Sequence, residues 1–248
     1  MENQFERFGL EHLSASSLNL WEQAPDVWVA RYLLNYRRSE SAAMLRGTIT
    51  ESAVVSNLMG ERVDLEAMWS VKMPYSLDAK AQKELAALPA FVAQATEALQ
   101  PFGMPTFDFG VEQCKVETML ECEGFDMTVI GYLDFVFLEL DLIIDLKTTH
   151  RMPSSMSAAH SRQAAIYQQA VGDDKEVKFL YVTPKKHKFM ADFDTEEEVR
   201  KMTLQANRLN RFLAQCETAE EAAAIVPVNS DSFYWFGDED IRMDIYGL

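Results

Sequence analysis

The first 105 residues contain three stretches in which apolar side chains recur at helical spacing. Residues 14–36 begin with Ser and Asn side chains suited to capping a helix, and Pro25 is placed to begin a second short helix. Residues 39–60 indicate a helix that ends near Gly60. Residues 78–103 indicate another, with a bend expected at Pro89. This part of the chain is therefore predicted to be mainly helical.

The spacing changes after residue 105. Residues 110–122 alternate apolar and polar side chains, as a strand does, and Gly124 is placed for a turn. Residues 125–139 and 141–149 are rich in β-branched and aromatic side chains, and we predict that they form adjacent strands joined by a tight turn. This change marks the start of a sheet.

Further elements follow this predicted pair of strands. Residues 154–172 return to a helical pattern that ends at Gly172, and strands are predicted at 176–184 and 188–193. Residues 194–215 form a long amphipathic pattern with an acidic first turn, which suits the positive end of a helix dipole. The order predicts an α/β or α+β fold, with a mixed central sheet flanked by helices.

We expect one domain over residues 1–248, made of three regions. The regions are a mainly helical part at 1–105, a sheet core at 106–193, and a C-terminal helix with an acidic, aromatic tail at 194–248. In that tail, Phe233, Tyr234, Trp235 and Phe236 are predicted to pack against the body.

Composition and charge narrow the class of protein. The 248 residues are 48% hydrophobic, with no secretory signal pattern and no apolar run long enough for a membrane span, so we expect a cytoplasmic protein without membrane contact. The three cysteines form no C-x-x-C pair, and neither a zinc nor an iron–sulfur site is indicated. The net charge of −16 opposes nucleic-acid binding over most of the surface. Residues 147–151 and 185–188 are locally basic, so a cationic track is still possible.

Three charged residues interrupt the apolar strands. Asp134 and Asp145 lie on the two adjacent strands, and Lys147 shares a face with Asp145 because side chains alternate along a strand. Two carboxylates suit Mg²⁺ or Mn²⁺, and a nearby lysine can hold an attacking water and stabilise charge on a phosphoryl oxygen. The trio therefore indicates metal-assisted phosphodiester hydrolysis. A structural salt bridge between Asp145 and Lys147 is the simpler interpretation, and it stays open.

Two further features bear on that choice. Glu51 lies on the predicted helix at 39–60, where it is either a further oxygen ligand or a solvated helix residue. Gln163 and Tyr167 stand four apart in the helix that follows the Asp145 strand, so they share a face. A half-buried core aromatic is the ordinary interpretation of Tyr167.

These motifs occur in an informative order along the chain. Gly47-x-x-x-Glu51, Gly131-Tyr-Leu-Asp134, Asp145-Leu-Lys147 and Gln163-x-x-x-Tyr167 together resemble the PD-(D/E)XK nuclease superfamily, in particular exonucleases of the RecB and lambda-exonuclease type. Leu133 stands where the superfamily motif has proline, and Arg46-Gly47 to Glu51 is similar to the lambda-exonuclease pattern. The four cysteines that hold an iron–sulfur cluster in some relatives are missing, so that cofactor is not expected.

The resemblance implies a restriction-endonuclease-like core with an N-terminal helical region, and it implies roles for particular residues. Glu51, Asp134, Asp145 and the backbone carbonyl of Leu146 would hold one or two Mg²⁺ or Mn²⁺ ions, and Lys147 would position and activate water. The residues expected to contact DNA are Gln163, Tyr167, Thr148, Thr149, Arg46 and Arg162, with His150, Arg151, Lys185, Lys186 and Lys188 as further candidates.

The implied partner is linear DNA with a free end, in recombination, repair or phage DNA processing inside a bacterial or phage-infected cell. A single-strand annealing or recombination protein is a possible second partner. Two other functions stay open: a catalytically idle DNA-binding or scaffold protein of the same fold, and an acidic interaction protein that mimics DNA, for which the tail gives some support.

Overall fold

The structure, a computed structural model, describes residues 2–37, 40–73, 78–106 and 114–248. Its helices are α1 Gln4–Arg7, α2 Ala15–Gln23, α3 Pro25–Tyr32, α4 Ala42–Leu58, α5 Leu65–Lys72, α6 Ala79–Leu99, α7 Ala158–Val171, α8 Thr195–Leu213, α9 Ala219–Ile225 and α10 Glu239–Tyr246. Its strands are β1 Leu13–Ser14, β2 Cys114–Cys122, β3 Phe125–Leu133, β4 Phe135–Phe137, β5 Leu142–Thr148, β6 Glu176–Val182 and β7 His187–Met190. The predicted mixed α+β fold is confirmed. The division into three regions stays a prediction, and residues 110–113 of the first predicted strand lie outside the described residues.

The main helices follow from local signals in the sequence. Ser14 and Ser17 form a reciprocal capping box at the start of α2, and Pro25 occupies the first turn of α3. Asp194 caps α8, whose first turn is acidic as predicted. Pro89 is accommodated inside α6, and Gly172 ends α7 with a positive φ of 88°.

The strands form two mixed sheets instead of the single central sheet that the sequence predicted. The first has the order β1-β3-β2 and the second the order β4-β5-β6-β7, with β5 and β6 parallel. The predicted strand at 125–139 is broken at Asp134, so that β3 and β4 belong to different sheets. The break follows from the Asp134 carboxylate, which accepts a hydrogen bond from the Leu146 amide instead of continuing the ladder.

The expected tight turn before β5 is present at the predicted residues, 138–141. It is a 3₁₀ turn over Leu138–Leu140, completed by Asp141 in the left-handed conformation with a φ of 47°. β4 then pairs antiparallel with β5, so the two chain segments are adjacent as expected. The turn thus leaves Asp134 and Asp145 on neighbouring strand segments.

Two apolar cores cover the two faces of the second sheet. One contains Phe91 of α6 together with Phe135, Ile144 and Leu180 of that sheet. The other joins both sheets to α2, α3, α7 and α8, and it includes Phe179 and Tyr167. Helix α7 therefore lies against the junction of the sheets, where the strand is broken at Asp134.

The C-terminal tail is fixed to α3 through one buried carboxylate. Trp235 is 1% exposed, and its Nε1 donates to Oδ2 of Asp26 at 2.8 Å. The hydroxyl of Tyr246 donates to the Asp26 carbonyl at 2.7 Å. The predicted packing of the aromatic tail is confirmed for Trp235 and for the half-buried Tyr234 but wrong for Phe233 and Phe236, which are 68% and 63% exposed. The tail is thus held by some of its aromatic residues and not by the whole aromatic run.

Candidate active site

A cavity of about 500 Å³ opens where the two sheets meet. One side carries charged and polar side chains that the sequence singled out: Glu51, Asp134, Asp145, Lys147, Gln163 and Tyr167. A second wall consists of the segment Gly9–Ser17 together with Tyr32. Residues from Gly9 to Tyr167, which are distant in sequence, thus border one space.

Alternation along β5 places Asp145 and Lys147 on the same face of the sheet. The Lys147 ammonium lies 2.6 Å from Oδ2 of Asp145, which is 1% exposed. Oδ1 of the same carboxylate accepts a hydrogen bond from Gln163 at 3.2 Å. The buried Oδ2 is one of several buried side-chain atoms of the described residues without a well-formed hydrogen bond, and the Lys147 ammonium compensates its charge.

Asp134 lies at the break between β3 and β4. Its Oδ2 accepts a hydrogen bond of 2.9 Å from the Leu146 amide. Burial raises the pKa of Asp134 well above its usual value, and the negative charges of Asp145 and Glu51 raise it further. These three carboxylates therefore repel one another across the cavity.

The other two charges of the trio respond to the same surroundings. Burial raises the pKa of Asp145, against the opposing attraction of Lys147. The pKa of Lys147 is also raised: burial acts to lower it, but attraction to Asp145 and Asp134 is stronger. The lysine is accordingly held as a cation, and it compensates only part of the acidic charge.

Gln163 and Tyr167 share one face of α7, as predicted. Gln163 donates to the Tyr167 hydroxyl at 2.7 Å, and that hydroxyl donates to the carbonyl of Tyr132 at 2.7 Å. Tyr167 is 4% exposed, and burial raises its pKa, so the phenol stays neutral. Tyr167 therefore belongs to the core and also supports the site through Gln163.

Gly131 allows Tyr167 to occupy this position. A Cβ at residue 131 would lie 2.5 Å from Cε1 and 3.0 Å from Cδ1 of the tyrosine ring. A Cβ at Gly47 would meet only Oγ1 of Thr148, at 3.7 Å, which is an ordinary contact. Of the two motif glycines, only Gly131 is therefore required by a close contact, a difference that the motifs themselves do not reveal.

We expect Gly131→Ala to lower the free energy of unfolding by about 1–3 kcal/mol, because the ring of Tyr167 must move. Gly47→Ala is the matched control: the same substitution within α4 should be neutral or stabilising by up to about 1 kcal/mol, since alanine favours a helix. Urea unfolding of both variants measures the difference. Equal effects would contradict the proposed contact between Gly131 and Tyr167.

The side chains at the cavity have the oxygen donors that a divalent cation prefers, but they are not arranged as a complete set of ligands. Within the described residues, no three His, Cys, Asp or Glu side chains form a ready-made metal cluster. The donors are carboxylate oxygens, which Mg²⁺ and Mn²⁺ prefer, and Oδ2 of Asp145 is a buried acceptor without a hydrogen bond. A bound cation would relieve both that deficit and the mutual repulsion of the acids.

The predicted DNA-contacting arginines are engaged within the fold. Arg46 is 5% exposed, forms an ion pair with Glu84, and donates to Oγ1 and the carbonyl of Thr148 at 3.2 and 3.1 Å. Arg162 is also 5% exposed, and it donates to Asn19 and to Glu22, each at 2.5 Å. Neither arginine lines the cavity, so we do not assign phosphate contacts to them.

The predicted contacts at the end of β5 are outside the cavity. Thr148 and Thr149 are half-buried and are not part of its lining. The Thr149 hydroxyl donates to the Arg151 carbonyl at 3.1 Å, and the backbone amide of Thr149 donates to the carbonyl of Val182 at 2.9 Å. Both threonines are thus held by contacts within the fold, and we do not assign phosphate contacts to them.

Sequence reasoning missed the wall formed by Gly9–Ser17. It is held in place by β1, which is only two residues long and pairs parallel with β3 at Val129 and Ile130. Its only signal is the serine-rich start of α2, which indicates a helix cap and gives no hint of a cavity. Glu84, the partner of Arg46, was missed as well, because an exposed-looking helical glutamate is ordinary.

Comparison with known proteins identifies a family for this chain. Residues 12–231 match the family model of the PD-(D/E)XK nuclease superfamily. A solved structure, described as the crystal structure of SSO0001, is 12% identical and aligns over 71% of this chain and 80% of that one with a TM-score of 0.37. A comparison with curated proteins gave no match. In the described parts of the chain, no helix is both long and apolar enough to cross a membrane.

Proposed function

Since the chain belongs to the PD-(D/E)XK nuclease superfamily, we propose that it is a Mg²⁺- or Mn²⁺-dependent deoxyribonuclease that removes nucleotides from the ends of linear DNA. The observation that carries this proposal is the cavity in which Glu51, Asp134, Asp145 and Lys147 meet. Superfamily membership supports a nuclease with DNA as its substrate. The choice of metal ion and the preference for ends are our own inferences.

The roles follow from the contacts of each residue. Glu51, Asp134 and Asp145, with the carbonyl of Leu146, would hold the cation. When bound, it would lower the pKa of a coordinated water and screen the charge of the phosphate. Lys147 would orient the attacking water and donate to a phosphate oxygen, since its ammonium borders the cavity. Gln163 keeps the Asp145 carboxylate in one orientation.

The preference for ends rests on the resemblance of Gln163-x-x-x-Tyr167 to the motif of RecB-type and lambda-type exonucleases. The cavity, at about 500 Å³, is in the range of sites for small ligands, roughly 300–1,000 Å³, and has room for a strand terminus. The proposed setting is recombination, repair or phage DNA processing, with an annealing protein as a possible partner.

Linear and closed circular DNA distinguish this proposal from an endonuclease. With Mg²⁺, linear duplex should be degraded to nucleotides, while covalently closed circles of the same sequence should persist. Nicked circles at the same enzyme concentration provide the control for access to interior strand ends. Rapid cleavage of closed circles would require reassignment to an endonuclease, and no degradation of any DNA in Mg²⁺ or Mn²⁺ would contradict the proposed activity.

A group of basic residues near the end of β5 supports a path for DNA. We call it the basic edge and define it by Arg151, which follows β5, by Lys185 and Lys186 in the turn between β6 and β7, and by Lys188 on β7, which donates to the carbonyl of Ser154 at 3.4 Å. Arg151 follows Lys147 by four residues along the chain. Among the described residues, no acidic side chain forms an ion pair with these four cations, although the chain has a net charge of −16. Phosphate groups are the partners that such cations would bind.

Salt dependence tests the basic edge. Replacing Lys185, Lys186 and Lys188 with alanine should reduce the slope of log affinity against log salt by about two to three, since each neutralised phosphate contributes roughly 0.7–0.9. The matched control is the triple alanine variant of Arg200, Lys201 and Arg208 on α8, which removes the same charge. Fluorescence anisotropy with Ca²⁺ in place of Mg²⁺ measures binding apart from cleavage. An equal change in both triple variants would contradict a local path.

A further inference from the structure

One face of α7 contacts the row of side chains that contains Lys147. In the parallel register of β5 and β6, Asp145 lies beside Phe179, and Lys147 lies beside Tyr181. The four side chains therefore share a face of the sheet. Helix α7 places His160 and Gln163 one turn apart over this row.

The two polar residues of α7 bind opposite ends of the row. Gln163 donates to the carboxylate of Asp145 at 3.2 Å. One turn earlier, Nδ1 of His160 lies 2.6 Å from the hydroxyl of Tyr181, and the two ring centres are 5.5 Å apart. Lys147, the strand neighbour of Tyr181, has its ammonium 2.6 Å from Asp145 and 5.3 Å from the centre of the Phe179 ring.

We propose that His160 and Tyr181 are positioning residues for Lys147, so that the α7 motif extends to His160-x-x-Gln163-x-x-x-Tyr167. The inference rests on the proposed nuclease function, and it adds to the site the ring-bearing residues that lie on the same sheet face as Lys147. The hydrogen bond between His160 and Tyr181 prevents the tyrosine from rotating away, and the ring of Phe179 contacts the imidazole at a centroid distance of 5.6 Å. These aromatic rings together confine the side chain of Lys147, which has four rotatable bonds.

The pair formed by His160 and Tyr181 is polar but uncharged. Burial, together with the charge of Lys147, lowers the pKa of His160 to about 4, so its imidazole is neutral near pH 7. Burial raises the pKa of Tyr181 to about 12, so its phenol is neutral as well. A neutral pair neither competes for Asp145 nor compensates the charge of Lys147. The cation therefore keeps its electrostatic effect on the cavity while its position is restricted.

Kinetics of four proteins test the proposal. Compared with wild type, His160→Leu removes the hydrogen bond, Tyr181→Phe removes only the hydroxyl, and His160→Asn keeps a polar atom near the position of Nδ1. We expect kcat on linear DNA to fall roughly 10–100-fold in His160→Leu, the scale of a small misplacement of a reacting group, and less in Tyr181→Phe. KM and the increase in Tm on Mg²⁺ addition should stay near the wild-type values. His160→Asn should recover most of kcat.

A merely structural role predicts a different pattern. If His160 only fills space, the leucine variant should keep kcat, and the asparagine variant should be the worse of the two. If His160 supports the whole site, KM and the Mg²⁺-dependent shift in Tm should change together with kcat, and asparagine should not restore it. Either pattern would overturn the proposal.

A second measurement does not require nuclease activity. Acylation of lysines by an activated ester, mapped by mass spectrometry without metal, reports how freely Lys147 moves. Its labelling rate should rise roughly threefold or more in His160→Leu, because a released lysine side chain samples more rotamers. Lys115, which is exposed on β2, is the internal control. An unchanged rate would overturn the positioning role even if wild type cleaves DNA, whereas faster labelling in an inactive wild type would separate this inference from the proposed function.

Discussion

Replacing Lys147 with alanine is expected to lower the rate of DNA cleavage by about 10²–10⁴-fold, the scale of losing a positioned proton-transfer group. The reason is the position of its ammonium, which borders the cavity and lies 2.6 Å from Asp145. The carboxylates are left in place, so metal binding and DNA affinity in Ca²⁺ should survive. Single-turnover cleavage of end-labelled DNA measures the rate.

The same variant separates catalysis from a structural salt bridge. Removing Lys147 leaves the Asp145 carboxylate buried beside Asp134, so the free energy of unfolding in chelator should fall, by up to about 3–5 kcal/mol. A salt bridge without other function predicts the same loss but no recovery by Mg²⁺. The metal-site account predicts that Mg²⁺ restores stability, since a cation replaces the missing positive charge. A loss that Mg²⁺ does not change would favour the salt bridge.

The second large effect is expected for Asp134→Asn, which should lower the rate of cleavage without lowering stability in chelator. Cleavage should fall by about 10²–10³-fold or more, because one side of the proposed metal site loses its charge. In chelator the variant should be at least as stable as wild type. The amide oxygen can still accept from Leu146, while the repulsion from Asp145 and Glu51 disappears. The Mg²⁺-dependent increase in Tm should be much smaller than in wild type.

The pH dependence of this difference has a definite sign. Because burial and neighbouring carboxylates raise the pKa of Asp134, the folded protein binds more protons than the unfolded chain between the usual aspartate pKa of 3.8 and the raised value. The contribution of Asp134 to stability is therefore present at low pH and is lost as pH rises through its folded pKa. Without metal, the advantage of Asp134→Asn should grow over that interval. Urea unfolding at several pH values in chelator measures it, and an advantage that shrinks with rising pH would contradict the raised pKa.

Much of the site could be predicted because its signals are local. Alternation along β5 places Asp145 and Lys147 on one face of the strand, and helical spacing places Gln163 and Tyr167 on one face of α7. Four such motifs in order also indicated the superfamily, which the match over residues 12–231 confirms. The general fold followed from the same periodicities.

What could not be predicted depends on contacts between distant residues. The alternation across Asp134 is continuous, and only the hydrogen bond to Leu146 shows why the strand changes sheets there. Arg46 looked available for phosphate until its partner Glu84, 38 positions away, was located in space. The wall at Gly9–Ser17 depends on a two-residue strand, which is too short to give a periodic pattern. Charge and periodicity do not specify such pairings.

Release of nucleotides from end-labelled linear DNA, followed against Mg²⁺ concentration for wild type and Lys147→Ala purified in parallel, tests the central claim most directly. The account predicts that wild type releases nucleotides only with Mg²⁺ or Mn²⁺ and stops in excess chelator. It also predicts that Lys147→Ala binds the same DNA yet releases almost none. Equal release by the two proteins, full release in chelator, or no release by wild type with either metal would contradict it.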